Sequence, residues 1–275
     1  MTAPARAIWQ LIEPIHAVTY FAPACEDSMN ELGLKGFWMG YFAARSAPLG
    51  AVNPAVVEAT FYNFAPRLVH RALPDAWAIA GPDAVLDARA TGAAIALRQA
   101  VPDIDETAAR VLPLLESVAR AADCAGRPLG AANQSLDLRT DPVERLWQAC
   151  TTLREHRGDG HVAALVAAGI GGIEAHLLGI GAGRVPRAVQ LARGWSDEEW
   201  QTAEHRVADR GLDTMATAYE RVEQVTDEIS AQPYTDGLTE SGIDLLTTLL
   251  PRITKPLLAT GVLPFPNPIG ITQST

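Results

Sequence analysis

Ile12-Glu13-Pro14-Ile15-His16-Ala17-Val18-Thr19-Tyr20-Phe21 and Gly36-Phe37-Trp38-Met39-Gly40-Tyr41-Phe42-Ala43-Ala44-Arg45 are the stretches around which the chain is organised. From Pro4 to Tyr20 the apolar positions Ile8, Leu11, Ile12, Ile15 and Val18 recur at helical spacing. Both stretches read as helix interior, yet between them they carry a carboxylate, an imidazole, two phenols, an indole and a guanidinium. Such groups are costly to bury without a partner. Two arrangements satisfy them: a structural network in which they bond one another, or the lining of a small-molecule cavity.

Outward from these stretches the helical pattern continues, and strand signals are few. Pro14 predicts a kink or break in the first helix. Ala24 to Leu32 reads as a helix capped by Gly33, and a third helix runs from Gly36 to before Pro48. Asn53 and Pro54 have the N-cap and first-turn character that starts a helix, bent at Pro66. Pro82 to Gln99 and Asp105 to Asp123 are two more, the second interrupted by Pro113. Asp141 reads as the cap before Pro142. Amphipathic helices follow at Met215 to Gln232 and Leu238 to Ile253, then a proline-rich coil from Pro256.

The chain resembles itself. Ile8-Trp9-Gln10 matches Leu146-Trp147-Gln148, Gly33 to Phe37 matches Gly169 to Ile173, and His70 to Leu73 matches Asp209 to Leu212. The near-constant offset predicts a duplicated helical unit. The expected organisation is a first unit at 4–80, a helical connector at 81–140, a second unit with C-terminal helices at 141–253, and a proline-rich tail at 254–275.

Composition narrows the function. The 275 residues are 48% hydrophobic and 20% charged, and no window approaches the ~20 apolar residues that span a bilayer. We therefore expect no membrane segment, no signal peptide and a cytoplasmic location. Cys25, Cys124 and Cys150 lack disulfide or zinc spacing and read as small buried residues. With 22 basic against 32 acidic residues the net charge is -10, which opposes phosphate-backbone binding.

Trp195-Ser196-Asp197-Glu198-Glu199-Trp200 with Arg206-Val207-Ala208-Asp209-Arg210-Gly211-Leu212 is similar to the last helix of a winged helix-turn-helix unit and the entry to its wing. Together with Glu13 to Tyr20, Gly36 to Phe42, Arg157-Gly158-Asp159-Gly160-His161 and Thr226-Asp227, it makes the chain resemble the SalK-like helix-turn-helix family from Arg6 to about Pro251. The resemblance implies a mainly α fold of duplicated winged-helix-like units, a DNA-binding ancestry, and an association with natural-product gene clusters. The chain departs from that pattern where Leu212-Asp213-Thr214-Met215-Ala216 replaces the wing and leads straight to the next helix. The candidate recognition helix also carries Asp197, Glu198, Glu199 and Glu204, which oppose a phosphate backbone.

The interior therefore carries the functional expectation. Glu13, His16 and Tyr20 share one helix face, an arrangement suited to a base, its orienter and a phenol donor; Arg45 is assigned to stabilising negative charge. Trp38, Tyr41 and Phe61 are expected as walls, with Asn63, Arg157 and His161 as further binding residues. In the Arg157 to His161 segment the glycines predict a tight turn, with Asp159 capping the next helix. No metal motif or cofactor-binding motif is present.

The expected function is acid–base chemistry, such as dehydration or cyclisation, on an apolar, polyketide-like molecule. The alternatives are a MarR-like ligand-responsive regulator of transcription and a non-catalytic sequestration protein. A homodimer is compatible with the sequence.

Overall fold

Ile104, Ala108, Val111, Leu115 and Val118 lie three or four residues apart, and all are buried, the spacing that aligns side chains on one face of a helix. The same rule builds the whole molecule. The computed structural model describes residues 2–272, and no strand occurs among them. In chain order the helices are α1 (Thr2–Phe21), α2 (Pro23–Glu31), α3 (Phe37–Ser46), α4 (Pro54–Phe61), α5 (Pro66–Ala72), α6 (Asp75–Ile79), α7 (Pro82–Ala100) and α8 (Ile104–Ala121). They continue as α9 (Pro128–Gln134), α10 (Pro142–Ala167), α11 (Gly172–Gly181), α12 (Arg187–Gln190), α13 (Asp197–Asp209), α14 (Leu212–Gly237), α15 (Glu240–Leu249) and α16 (Pro251–Ala259). No single helix among the described residues is long and apolar enough to cross a membrane.

The 26-residue α10 is the axis, packed by α1, α7, α8, α9 and α14. Its start is fixed by Asp141, whose side chain accepts from the Val143 and Glu144 amides. The main core joins Ile8, Ile12 and Ile15 of α1 to Val111 and Leu115 of α8 and to Leu146, Trp147 and Cys150 of α10. α7 and α8, from the connector segment, contribute to this same core. A second cluster, built on Phe42, Phe61 and Phe64, fills the space among α2 to α7. A third joins the end of α10 to α11, α13 and α14.

Tertiary packing alters five local expectations, at Pro14 by excluding a break. α1 runs through Pro14 and α8 through Pro113; an interior proline costs ~3 kcal/mol, and burial against several neighbours offsets it. Pro66 starts α5 instead of bending a longer helix, and Pro256 lies inside α16, so the coil begins later than expected. Arg157 to His161 is not a turn but the middle of α10. Asp159 caps nothing there; it accepts from the Gly130 amide of α9 at 2.9 Å. Gly160 belongs to that helix because α14 crosses it closely, a Cβ there falling 2.7 Å from Ile229 Cδ1.

Only Arg210 and Gly211 separate α13 from α14, and Gly211 takes a φ of +85° that favours glycine. No wing stands between these helices.

Candidate functional site

Glu13 and Arg45 lie in one buried polar network, and His16 and Tyr20 form a second hydrogen-bonded group beside it. The first is centred on α10. The Glu155 carboxylate, on α10, is its hub: Oε1 accepts from Arg45 Nε at 2.9 Å, and Oε2 accepts from Arg45 Nη2 and Arg154 Nη1, each at 2.9 Å. Arg154 also reaches Glu13 at 3.4 Å, and Trp9 Nε1 donates to Glu13 at 2.9 Å. Burial alone raises the Glu155 carboxyl, but Arg154 and Arg45 outweigh it and hold the group well below the carboxylate range. For Glu13 burial wins, and its pKa is raised despite Arg154 and Trp9.

The hydrogen bonds fix the His16 tautomer. Thr151 Oγ1 donates its proton to Trp147 O at 2.9 Å, so it accepts from His16 Nδ1–H at 3.0 Å. His16 Nε2 then accepts from the Tyr20 hydroxyl at 2.8 Å. Both ring nitrogens are used, and burial followed by Arg154 pushes the imidazole well below its ordinary pKa. The space beside this group is about 10 Å³, too little for a guest. Trp38, Tyr41 and Phe61 pack with Phe42 and Phe64 in an aromatic cluster, with Arg45 stacked 4.2 Å above Phe61.

The large cavity lies next door. Its volume is about 440 Å³, within the usual range for ligand sites. Three helices each supply one stripe spaced three or four residues apart: Arg6, Trp9, Gln10 and Glu13 from α1; Arg154, Arg157, Gly158 and His161 from α10; Tyr219, Glu223 and Thr226 from α14. α11, the segment from Gly183 to Arg193, and the coil at Pro268 to Thr272 complete the wall. Glu13, Asn63, Arg157 and His161 are the sequence candidates that line it. The sequence reading missed Arg154, Arg184, Gln190 and Arg193. The first was legible as the start of a polar Arg154, Arg157, His161 stripe, but only with α10 read as continuous.

One end of the cavity is held by ion pairs. Arg6 and Arg157 share Asp227 at 2.8 and 2.7 Å, while Arg184 reaches Glu223 at 3.4 Å. His161 has the His16 arrangement with one difference. Thr226 Oγ1 donates to Val222 O at 2.7 Å and so accepts from His161 Nδ1–H at 3.0 Å. Nε2 is left with its lone pair, and no described protein group bonds to it. Burial lowers the His161 pKa, so the ring is a neutral acceptor at the cavity wall.

The other end rests on a strained corner. Tyr62 has a φ of +38°, unusual for a bulky residue. The corner is pinned from four sides: Tyr62 Oη donates to Ile170 O at 2.8 Å, His176 Nε2 and Trp195 Nε1 donate to Asn63 O at 2.8 and 3.1 Å, and Gly172 lies so close that a Cβ would meet Tyr62 O at 2.2 Å. Burial pushes His176 down to about 3, keeping that donor neutral. Strain held by so many contacts is characteristic of functional positions, and this corner sets Asn63 at the cavity.

Four buried polar atoms without a hydrogen-bond partner belong to residues of this wall: Asn63 Oδ1, Arg184 Nε, Gln190 Oε1 and Arg193 Nε. Arg193 has no carboxylate partner among the described residues; it stacks 4.4 Å from the Phe64 ring and donates to Pro268 O at 3.1 Å. Burial lowers its pKa, and Arg45 and Arg154 add to the effect.

The helices on the far side of the cavity, α11 and α13, meet with α13 opened by a Ser196 cap and Glu199 in its first turn. The chain belongs to a helix-turn-helix family. The family's pattern matches residues 5–264, nearly the whole chain. No curated protein and no solved structure matches it.

α13 is the helix that the sequence resemblance offers as a recognition helix. It exposes Asp197, Glu198, Glu204 and Asp209. Its Arg206 is tied to Glu174 at 2.7 Å, and Arg210 donates to Gly169 O. The exposed face of α13 is therefore acidic, with its guanidiniums engaged.

Proposed function

We propose that this protein takes a small polar anion into the arginine-lined cavity and performs acid–base chemistry on it, with His161 Nε2 as the proton acceptor. The observation that carries this reading is a cavity of about 440 Å³ whose wall brings together Arg6, Arg154, Arg157, Arg184, Arg193 and His161, with the His161 Nδ1–H bonded to Thr226 and its Nε2 left to accept. The lining favours a polar guest over the apolar, polyketide-like one expected from sequence, because five arginines line the space and one of them, Arg193, has no carboxylate partner among the described residues. Glu13, beside Arg154, remains a candidate acid. His16, Tyr20 and Arg45 act in this reading by holding the α1 and α10 walls in place. The SalK-like resemblance is the ground for looking for the molecule in natural-product chemistry.

Mass spectrometry of small molecules released from the purified protein, with thermal shift against a panel of organic acids, tests the binding. Anionic molecules are expected to raise the melting temperature and matched neutral amides are not; the reverse result sinks the reading. His161→Asn keeps a donor towards Thr226 and removes the base. It is expected to bind the released molecule and to turn it over roughly 10²- to 10⁴-fold more slowly. Binding with no turnover in the wild type points instead to sequestration.

Regulation of transcription is the second reading, favoured by the family itself. It requires tight, salt-sensitive binding to the promoter region beside its own gene, and a gel shift at two salt concentrations decides it. The acidic face of α13 leads us to expect none.

A further inference from the structure

α14 turns one face toward α10, and Tyr219, Glu223, Thr226 and Asp227 share that face at spacings of three and four. Opposite them stand Arg157 and His161, four apart on α10, with Arg6 from α1 and Arg184 from the segment after α11. Burial and then Glu223 keep the Tyr219 phenol protonated, so the charges around the His161 ring are those of three guanidiniums and two carboxylates.

The two carboxylates are not equally committed. Asp227 is taken by Arg6 at 2.8 Å and by Arg157 at 2.7 Å. Glu223 is the second choice of both arginines that touch it. Arg6 reaches it at 3.4 Å, beyond its Asp227 contact, and Arg184 reaches it at 3.4 Å while closing on Glu220 at 2.9 Å. Both of these contacts are to Oε2. Oε1 lies 4.0 Å from His161 Nδ1. The two side chains are 14% and 23% exposed, enough to border the cavity and too little for water to screen them as it screens a surface pair.

His16 shows the same ring without this arrangement. Glu155, which lines the same small space, is fully claimed by three guanidinium donors at 2.9 Å, and Tyr20 covers the second nitrogen. After burial, the largest influence on His16 is the repulsion of Arg154, whereas on His161 it is the attraction of Glu223. A free nitrogen and a loosely held carboxylate thus coincide at His161 and are both missing at His16.

We infer that Glu223 is the counter-charge of the His161 base. As a proton leaves the guest for Nε2, its electron pair stays on the guest, the Nδ1–H bond to Thr226 is kept, and the Glu223 carboxylate balances the imidazolium that forms. Glu223 acts through the ring and is a positioning residue; Thr226 sets the tautomer. This assignment rests on the acid–base reading above and adds the group that makes the proton transfer favourable.

The test follows the His161 ring of the full chain by NMR, with labelled histidine and His161→Asn for assignment, from neutral pH down to the onset of unfolding. Glu223→Gln is expected to lower the His161 pKa by roughly one unit or more, about a tenfold loss of basicity. Glu220→Gln removes an equal charge from the same Arg184, but at a side chain 60% exposed, and is expected to move the pKa by less than about 0.3 unit. Thr226→Val is expected to release the Nδ1–H tautomer and Thr226→Ser to restore it. Should Glu223→Gln fold poorly by circular dichroism, Glu223→Asp serves in its place: it keeps a charge for both arginines, draws it back from the ring, and is expected to give about half the shift.

An unchanged His161 pKa in the folded Glu223 variant, an equal shift from Glu220→Gln, or a wild-type ring that takes no proton before the chain unfolds overturns the assignment. Because no guest is present in these titrations, each of those results leaves anion binding standing. If anions fail to raise the melting temperature, the reading on which the pair depends is lost and both fail.

Discussion

Replacing Glu155 by glutamine is the sharpest test of the buried network. The residue is 1% exposed and its two oxygens take three guanidinium donors at 2.9 Å. Glutamine keeps the shape, removes the charge, and turns an amide NH₂ toward a donor. Two guanidiniums, Arg45 and Arg154, are left short of counter-charge in the interior, and breaking a buried pair in this way costs about 3–5 kcal/mol. That is a large part of a total stability of about 5–15 kcal/mol. At roughly 2–4 °C per kcal/mol for a chain near this size, the melting temperature should fall by about 6–20 °C. Urea unfolding followed by circular dichroism measures the loss, with an unchanged slope expected and a lower midpoint.

The pH dependence gives an independent arm. The folded pKa of Glu155 lies below its ordinary value of 4.5, so its stabilisation is fully present above pH 4.5 and fades as the pH falls toward the folded value. The gap between wild type and Glu155→Gln should therefore narrow below about pH 4.5. A loss under about 1 kcal/mol at pH 7, the range of an exposed pair, would refute the argument that these charges depend on one another.

Other consequences follow from the same geometry. Gly172→Ala forces a Cβ to within 2.2 Å of the Tyr62 carbonyl; overpacking of this kind costs about 1–3 kcal/mol or more, and displacement of the Asn63 corner should weaken anion binding as well, read by urea midpoint and calorimetry. Acid should destabilise the protein steeply: His176 is pushed down to about 3, His156 to about 4, and His16 well below its ordinary value, burial being the first cause for each. As the pH falls below 6.5 the unfolded chain takes protons that these native rings refuse, each contributing up to about 1.4 kcal/mol per pH unit. Asp159, raised to about 6 by burial, opposes this with the other sign, its protonation favouring the folded state as the pH falls from about 6 toward the unfolded value. Urea midpoints at pH 7.5, 6.5 and 5.5 should fall in that order, and a flat profile contradicts the burial of the imidazoles. A disulfide reagent should modify Cys124 first in the native state, because Cys25 and Cys150 are buried with Cys25 pushed up to about 12; rapid loss of all three thiols contradicts the fold.

What the sequence determined by itself is local. Asn53 and Asp141 cap α4 and α10 as their side-chain oxygens dictate, Gly33 ends α2 in a left-handed conformation, and the wing's absence follows from Leu212 leading straight into α14. Even the His16 to Tyr20 bond was legible, since residues four apart on a helix face one another.

The tertiary structure decided everything that depends on which helices meet. The glycines of the Arg157 to His161 segment carry a turn signal by local propensity, yet packing against α9 and α14 keeps the helix intact and puts Arg154, Arg157 and His161 on one wall. His16 and His161 are held by the same threonine device, and nothing in the local sequence of His161 says that its second nitrogen is left beside a cavity. Helical spacing fixes which side chains share a face; what lies opposite that face is set by chain segments from about thirty to well over a hundred residues away.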